Sequence, residues 1–380
     1  MYLDLELTES EKMLKRTALD FMRREVPNEI IKALLETDTG YKEELWHNIV
    51  EMGWTGIIIP EQYGGEEYSL TSAGVLLEAL GSGPLPGPYF SSAILGSLIV
   101  MEAGTEEQKK EILPAVAEGD KILTLALTEP EYSWEPDAVQ TSAENESGDF
   151  ILNGLKLFTL EAEAATHFIV VARTQDDPDP ARGLSLFLVD SQSDGLSVRR
   201  VPGFLSGRSF EVKLNNVKVP GSALLGENDV AWDNLKKAIE KATPILCAYK
   251  VGGAQAVFEL ALQYTRSRVQ FGRPIGRFQF VQDMIIEMIN HVDAARWTTY
   301  EALWKLDTHR PAAESVHLAK AVSSKAYWEV CTLAHQVFSG VSYSEEHAVS
   351  FHTRTSRHLY NFFGDPAYHR QKLAKLLVPL

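Results

Sequence analysis

The sequence predicts a multidomain α+β protein: an N-terminal helical domain at residues 1–120, a middle antiparallel β domain (sheet or barrel) at 121–222, and a C-terminal domain of the four-helix-bundle type at 223–380. Three observations predict it. Apolar residues recur at helical spacing from residue 8 to about 117, as in Met13, Leu14, Ala18, Phe21 and Met22 and again in Ala73, Leu76, Leu77 and Leu80. From Leu123 to Val219 that period gives way to short runs rich in β-branched residues. From Asn228 the helical period returns and persists nearly to the end of the chain.

Taken in order, the first helical stretch is broken at 60–65 and 81–88, both dense in Gly and Pro and therefore loops. Strands are predicted at 168–172, 184–189, 197–201 and 210–214, separated by turn clusters at 146–149 and 175–180. Two long helices, 229–268 and 281–304, flank the turn Phe271-Gly272-Arg273-Pro274-Ile275. These C-terminal helices are apolar on more than one face, so association with another subunit is expected. Trp297, Tyr300, Trp304, Tyr327 and Trp328 read as helix packing.

Composition narrows the class. The 380 residues exceed what one hydrophobic core supports, and 45% hydrophobic content suffices for two or three packed domains. A net charge of −16 and a pI near 5.1 exclude the basic surface that nucleic-acid binding needs. Only Cys247 and Cys331 occur, both in apolar helical surroundings, so they read as core thiols of a reducing compartment. The first residues show no basic and then apolar signal pattern, and no uninterrupted apolar run reaches about 18 residues, so a cytoplasmic location without a membrane partner is expected. His347, His352, His358 and His369 are spaced by 5, 6 and 11 residues, none of them the helical step that puts two metal ligands on one face; solvated or core histidines are expected, and no metal.

Arg268, at the end of one long helix, and Gln279, at the start of the next, can both reach a ligand near the turn between them. Arginine's planar fork suits phosphate oxygens, and a pyrophosphate is a natural guest. Alternatively Arg268 stabilises the last carbonyls of its own helix and the Gly/Pro pair is ordinary turn chemistry. Spacing alone leaves both readings open.

The pattern Arg268-x2-Phe271-Gly272-x-Pro274-Ile275-x3-Gln279 after a long helix resembles the signature of the acyl-CoA dehydrogenase family of flavoproteins. The resemblance covers nearly the whole chain. It includes Leu7-Thr8-Glu9-Ser10-Glu11, Gly53-Trp54-Thr55-Gly56-Ile57 up to Gly64-Gly65, Gly104-Thr105-Glu106-Glu107-Gln108-Lys109, Leu127-Thr128-Glu129-Pro130, Leu152-Asn153-Gly154-Leu155-Lys156 and Gln336-Val337-Phe338-Ser339-Gly340. It implies the helical, β, helical three-domain layout, a tetramer built by the C-terminal domain, FAD as cofactor, an acyl-CoA substrate and an electron-transfer flavoprotein as acceptor. Arg268, Phe271 and Gln279 then match contacts to the pyrophosphate and adenine side of an FAD whose ring sits in the neighbouring subunit. Gln336 and Gly340 match a second contact, and Thr128 belongs to the ring side.

Several positions depart from the family pattern. Ser339 and Ser342 stand where the second contact has glycines, and serine disfavours close approach and positive φ. On the ring side Trp134 falls where the family has serine, Phe158 at its aromatic, and Leu160 at the threonine whose hydroxyl approaches the flavin N5. Ala242 and Phe363 occupy the two positions at which the family places its carboxylate base, and neither takes a proton. Glu240 lies about 200° around its helix from Ala242 and cannot simply substitute. Asp365 is a candidate base, or a cap for the helix that opens at Pro366. Three readings follow: a companion subunit completing the FAD site of a catalytically complete paralogue in an α2β2 heterotetramer; a self-sufficient homotetrameric dehydrogenase with a non-standard base such as Asp365; and a flavin monooxygenase-like member of the fold.

Overall fold

A computed structural model describes residues 6–37, 40–203 and 208–378. The N-terminal part comprises helices α1 (Glu9–Glu25), α2 (Asn28–Glu36), α3 (Glu43–Glu51), α4 (Leu70–Gly81), α5 (Ser97–Ala103) and α6 (Glu106–Ala117), with a π-helical segment Tyr89–Gly96 running into α5. Two starts carry reciprocal capping boxes: the hydroxyls of Thr8 and Thr105 accept from the amides of Glu11 and Gln108, whose side chains return to the cap amides.

The middle part holds β1 (Leu123–Ala126), β2 (Ser142–Glu146), β3 (Asp149–Leu160), β4 (His167–Arg173), β5 (Leu184–Asp190), β6 (Leu196–Arg200), β7 (Ser209–Val219) and β8 (Leu224–Leu225) in one sheet, ordered β6-β7-β3-β2-β4-β5-β8 with β1 parallel to β4. Phe168, Phe187, Phe210, Val212 and Val217 fill its core. The predicted strands are all present. The long β3 and β7 go beyond the runs read from sequence, because their outward faces are polar and only one face alternates apolar.

The C-terminal part consists of α7 (Ala231–Ser267), the hairpin β9 (Val269–Gln270) and β10 (Arg273–Pro274), then α8 (Gln279–Asp307), α9 (Ala313–Phe338), α10 (Ala348–Tyr360) and α11 (Pro366–Leu377). α7 is long and apolar enough to cross a membrane by length and composition, yet most of that stretch is buried. It packs on α4, α8 and α9 as the central rod of the molecule. Glycines permit its close crossing with α4: a Cβ on Gly252 would lie 1.8 Å from Glu78 O, and one on Gly81 2.1 Å from Tyr249 O. One apolar cluster runs from α1 through α4 and β1 into α7, so the parts share a core. Trp297 departs from the packing expectation: it is half exposed on the outer face of α8, whereas Tyr300 and Tyr327 are buried. Cys247 and Cys331 are buried free thiols, as expected.

Candidate functional site

The residues matched to the adenine side sit together at one end of the C-terminal bundle. Arg268 caps α7, Gln279 opens α8, and Gln336 lies in the last turn of α9. The Tyr264 and Phe338 rings, 4.5 Å apart, hold the ends of α7 and α9 side by side. Phe271 and Gly272 form the two-residue loop of the β9–β10 hairpin, both at positive φ (52° and 77°), as tight primed turns require. Phe271 is 92% exposed. An aromatic held at positive φ and offered to solvent is costly in an isolated chain. Arg268, Gln279, Gln336 and Gly340 are exposed beside it, and Arg268 makes no ion pair among the described residues.

The serines replacing glycine are accommodated locally. Ser339 takes φ 58°, and buried Ser342 donates its hydroxyl to Ser339 O at 2.9 Å while meeting His335 Nδ1 at 2.8 Å. A Cβ on Gly340 would meet nothing within 4 Å. The turn is therefore rebuilt around side-chain bonds.

The ring side is organised differently. Thr128 is buried, and its carbonyl accepts from Leu157 N at 2.8 Å. Next to it, Glu129 accepts from Lys156 Nζ at 2.6 Å and from the amides of Gln140 and Thr141 at 2.8 and 3.0 Å. Burial pushes the Lys156 amine down to about 8 against the pull of Glu129. Burial also raises Glu129, but the Lys156 charge and the donated bonds outweigh it and leave the carboxyl below its usual range. This pair ties down the loop that carries Trp134. A cavity of about 430 Å³ opens against that loop, lined by Tyr132, Trp134, Phe158, Leu160, Asn361 and Phe362 among others.

Two more cavities approach the same place. One of about 160 Å³ lies among α4, α7 and α10 and includes Phe90, Leu160 and Tyr249. Another of about 300 Å³ lies between α7, α9 and α11 and includes Trp134, Glu240 and Phe363. Four rings stand where the three meet. Phe90 is 6.3 Å from both Phe362 and Phe363, Trp134 is 5.6 and 5.8 Å from them, and those two are 4.2 Å apart.

Both family base positions are buried, Ala242 at 0% and Phe363 at 3% exposure, and Phe363 is one of the four rings. Phe363 adopts φ 61°, and the loop is pinned by buried Lys320, which donates to Gly364 O at 2.7 Å and Tyr360 O at 3.3 Å. Asp365 caps α11, accepting from Tyr368 N at 2.7 Å, as its place before Pro366 suggested. Glu240 faces the α7–α11 cavity, and burial raises it. Glu161, not singled out in the sequence, lines the α4–α10 cavity directly after Leu160; burial pushes it up to about 7 against the opposing Arg208 guanidinium, 3.5 Å away. His317 and His369 form an imidazole pair that sequence spacing did not disclose, since 52 positions separate them. His352 and His358 are held neutral by burial, and among the described residues no group of His, Cys, Asp and Glu could hold a metal ion.

Fold and site together define a flavin-binding dehydrogenase of three parts. Residues 8–120, 124–217 and 232–378 match the N-terminal, middle and C-terminal domains of acyl-CoA dehydrogenase, and the chain belongs to that family. It is 29% identical over 349 residues to the caffeyl-CoA reductase-Etf complex subunit CarC of Acetobacterium woodii, spanning 90% of this chain and 91% of that one. The structure of butyryl-CoA dehydrogenase from Megasphaera elsdenii superposes with a TM-score of 0.91 at 27% identity, over 99% of this chain and 100% of that one. An FAD complex of PigA superposes with a TM-score of 0.90 at 25% identity, over 99% of each chain. The fold is the FAD-binding fold of acyl-CoA dehydrogenase-type oxidoreductases.

Proposed function

We propose that this chain is a subunit of an FAD-dependent acyl-CoA dehydrogenase, that it lacks a catalytic base of its own, and that it completes the FAD site of a paralogous partner subunit. The observation that carries this is the fate of the base positions: Ala242 and Phe363 are buried and apolar, and Phe363 belongs to a four-ring cluster filling the junction of the cavities. Asp365 spends its carboxylate on the cap of α11.

The two halves fit FAD unequally. On the adenine side an exposed Arg268 without an ion pair among the described residues, exposed amides on Gln279 and Gln336, and the outward Phe271 suit a pyrophosphate and adenine brought by a neighbour. On the ring side Leu160 and Trp134 remove hydroxyl donors that stabilise a reduced, anionic ring. FAD, when bound, supplies the hydride acceptor for desaturation of a CoA thioester. In this reading Arg268 neutralises phosphate charge, Phe271 covers the apolar face and excludes water, and the α-proton is taken by a carboxylate of the partner. An electron-transfer flavoprotein as acceptor is supported by the Etf complex named for the relative CarC.

A second reading, a self-sufficient homotetramer, is favoured by Glu161, a carboxylate pushed up to about 7 by burial that lines a cavity directly after Leu160. Flavin content and molar mass decide between them. The chain is purified alone and co-purified with its paralogue. Flavin appearing only in the mixed complex, at one FAD per pair of chains, is the expected result. One FAD per chain in a homotetramer, with acyl-CoA turnover abolished by Glu161→Gln, would establish the second reading instead.

A further inference from the structure

Two lysines are buried where α7 packs on α9, and the flavin chemistry uses neither. Lys250 and Lys320 are 1% and 0% exposed, and their Nζ atoms lie 2.8 and 3.1 Å from the same oxygen, Ser324 Oγ. Lys320 also donates to Gly364 O at 2.7 Å and Tyr360 O at 3.3 Å, so it meets three acceptors, as many as an ammonium has N–H bonds. Among the described residues Lys250 bonds to Ser324 and to the Lys320 amine. Two ammonium groups this close do not both ionise in a dry interior. Burial pushes Lys250 down to about 8, and burial followed by the Lys250 charge lowers Lys320. The three acceptors hold the charge on Lys320, and the free amine therefore falls to Lys250.

The cluster is short of negative charge. Neither lysine forms an ion pair among the described residues, and the carboxylate that acts on Lys320, Asp365, is committed to the cap of α11. Beside the amines, buried Ser323 Oγ has no hydrogen-bond partner except the weakly polar Cys247 thiol. The charges of Lys250 and Lys320 both reach that thiol, which places the four side chains in one cluster. The packing next to it is built mostly of small side chains, Ala302, Ala312 and Ala319 with Cys247 and Val316. A free amine, a fixed cation and a spare hydroxyl donor are what an anion formed on that amine requires.

We propose that Lys250 is a carbamate-forming site: its amine takes up carbon dioxide, and the carbamate is held by the Lys320 ammonium and the Ser323 and Ser324 hydroxyls. The amine lone pair forms the N–C bond, one C=O π pair of carbon dioxide moves onto oxygen, and one amine proton leaves to water. Lys–NH2 and CO2 thus give Lys–NH–COO− and H+, with nothing oxidised or reduced. Carbon dioxide suits this place because it is small and uncharged and enters a core that excludes ionic reagents, whereas the product is charged and stays beside the cation. The carbamate gives Ser323 an acceptor and Lys320 a counter-charge, and it ties α7 to α9 and to the 360–364 loop. The inference does not depend on whether this chain holds flavin, since it is read from the chain itself.

The test is carbon-13 NMR of the full chain, labelled with nitrogen-15 at lysine Nζ, in carbon-13 bicarbonate buffer whose dissolved carbon dioxide is the probe. A carbamate carbonyl signal coupled directly to a lysine nitrogen is expected in the unsubstituted chain and is expected to be lost in Lys250→Met and in Lys250→Gln. Ser323→Ala is expected to weaken uptake about fivefold to tenfold, one hydrogen bond's worth. Lys250→Met leaves no unpaired charge behind and is expected to fold. No lysine-coupled signal in the unsubstituted chain, or a signal that survives both Lys250 variants, would overturn the proposal. Should neither variant fold, reductive methylation of the accessible lysines in the unsubstituted chain decides. A carbamate on Lys250 is out of the reagent's reach and persists, whereas loss of the signal places it at the surface and sinks the proposal.

Discussion

The two ends of the flavin-related surface differ in how they treat aromatic residues. At the hairpin end Phe271 stands 92% exposed on a positive-φ turn beside exposed Arg268; at the ring end Phe363, also at positive φ, is 3% exposed and locked among Phe90, Trp134 and Phe362. The same backbone strain thus serves opposite purposes. The first region presents its groups to solvent, while the second packs on itself. Under the proposed function the chain keeps the half of a site it lends to a neighbour and loses the half it would use alone, because different elements build them.

The comparison is broken most severely at the anchor of the closed end. Lys156→Met leaves Glu129 charged and buried without its partner, and a loss of about 3–5 kcal/mol is expected in urea unfolding. Unchanged stability would show that the Trp134 loop is held some other way. Phe363→Ala removes the ring that closes the junction, with an expected loss of about 3 kcal/mol, partly offset if the loop collapses. A loss below about 1 kcal/mol would mean that the four rings are not packed as described.

At the open end, Arg268→Ala is expected to leave folding unchanged and to weaken FAD retention by the mixed complex roughly tenfold to a hundredfold, the range of a charge-assisted bond. Equal loss of stability and flavin would make Arg268 a structural residue of the helix end.

The smallest expected effect sharpens the contrast through pH. His352 is buried against the Tyr327 hydroxyl, 2.7 Å away, and burial lowers it from 6.5 to about 3. A histidine depressed in the folded state binds fewer protons than in the unfolded chain, so its contribution is complete above pH 6.5 and is lost as the pH falls toward 3. That loss is about 1.4 kcal/mol per pH unit below the ordinary value. Stability measured from pH 7 to about 5 is expected to fall, and His352→Gln to flatten the slope. A parallel slope in the variant would place the titration elsewhere.

Much of this was legible because it is local. The change of period at Leu123 and its return after Asn228 gave the three-part order, since strands and helices write their burial into alternation and 3.6-residue spacing. The Asp365 cap and the Phe271-Gly272 turn were readable for the same reason, each made of neighbours in sequence. Matching the family pattern also exposed the apolar residues at the base positions.

What the sequence by itself determined is therefore the order of elements, their caps and turns, and the absence of a proton acceptor at Ala242 and Phe363. Tertiary structure alone decided how the gaps are filled. Phe90, Trp134 and Phe362 come from three distant segments, Glu161 acquires its tuning from burial beside Arg208, and His317 meets His369 only where α9 packs on α11. Contact between residues far apart in the chain, and the dielectric around them, are properties of packing, which no local pattern records.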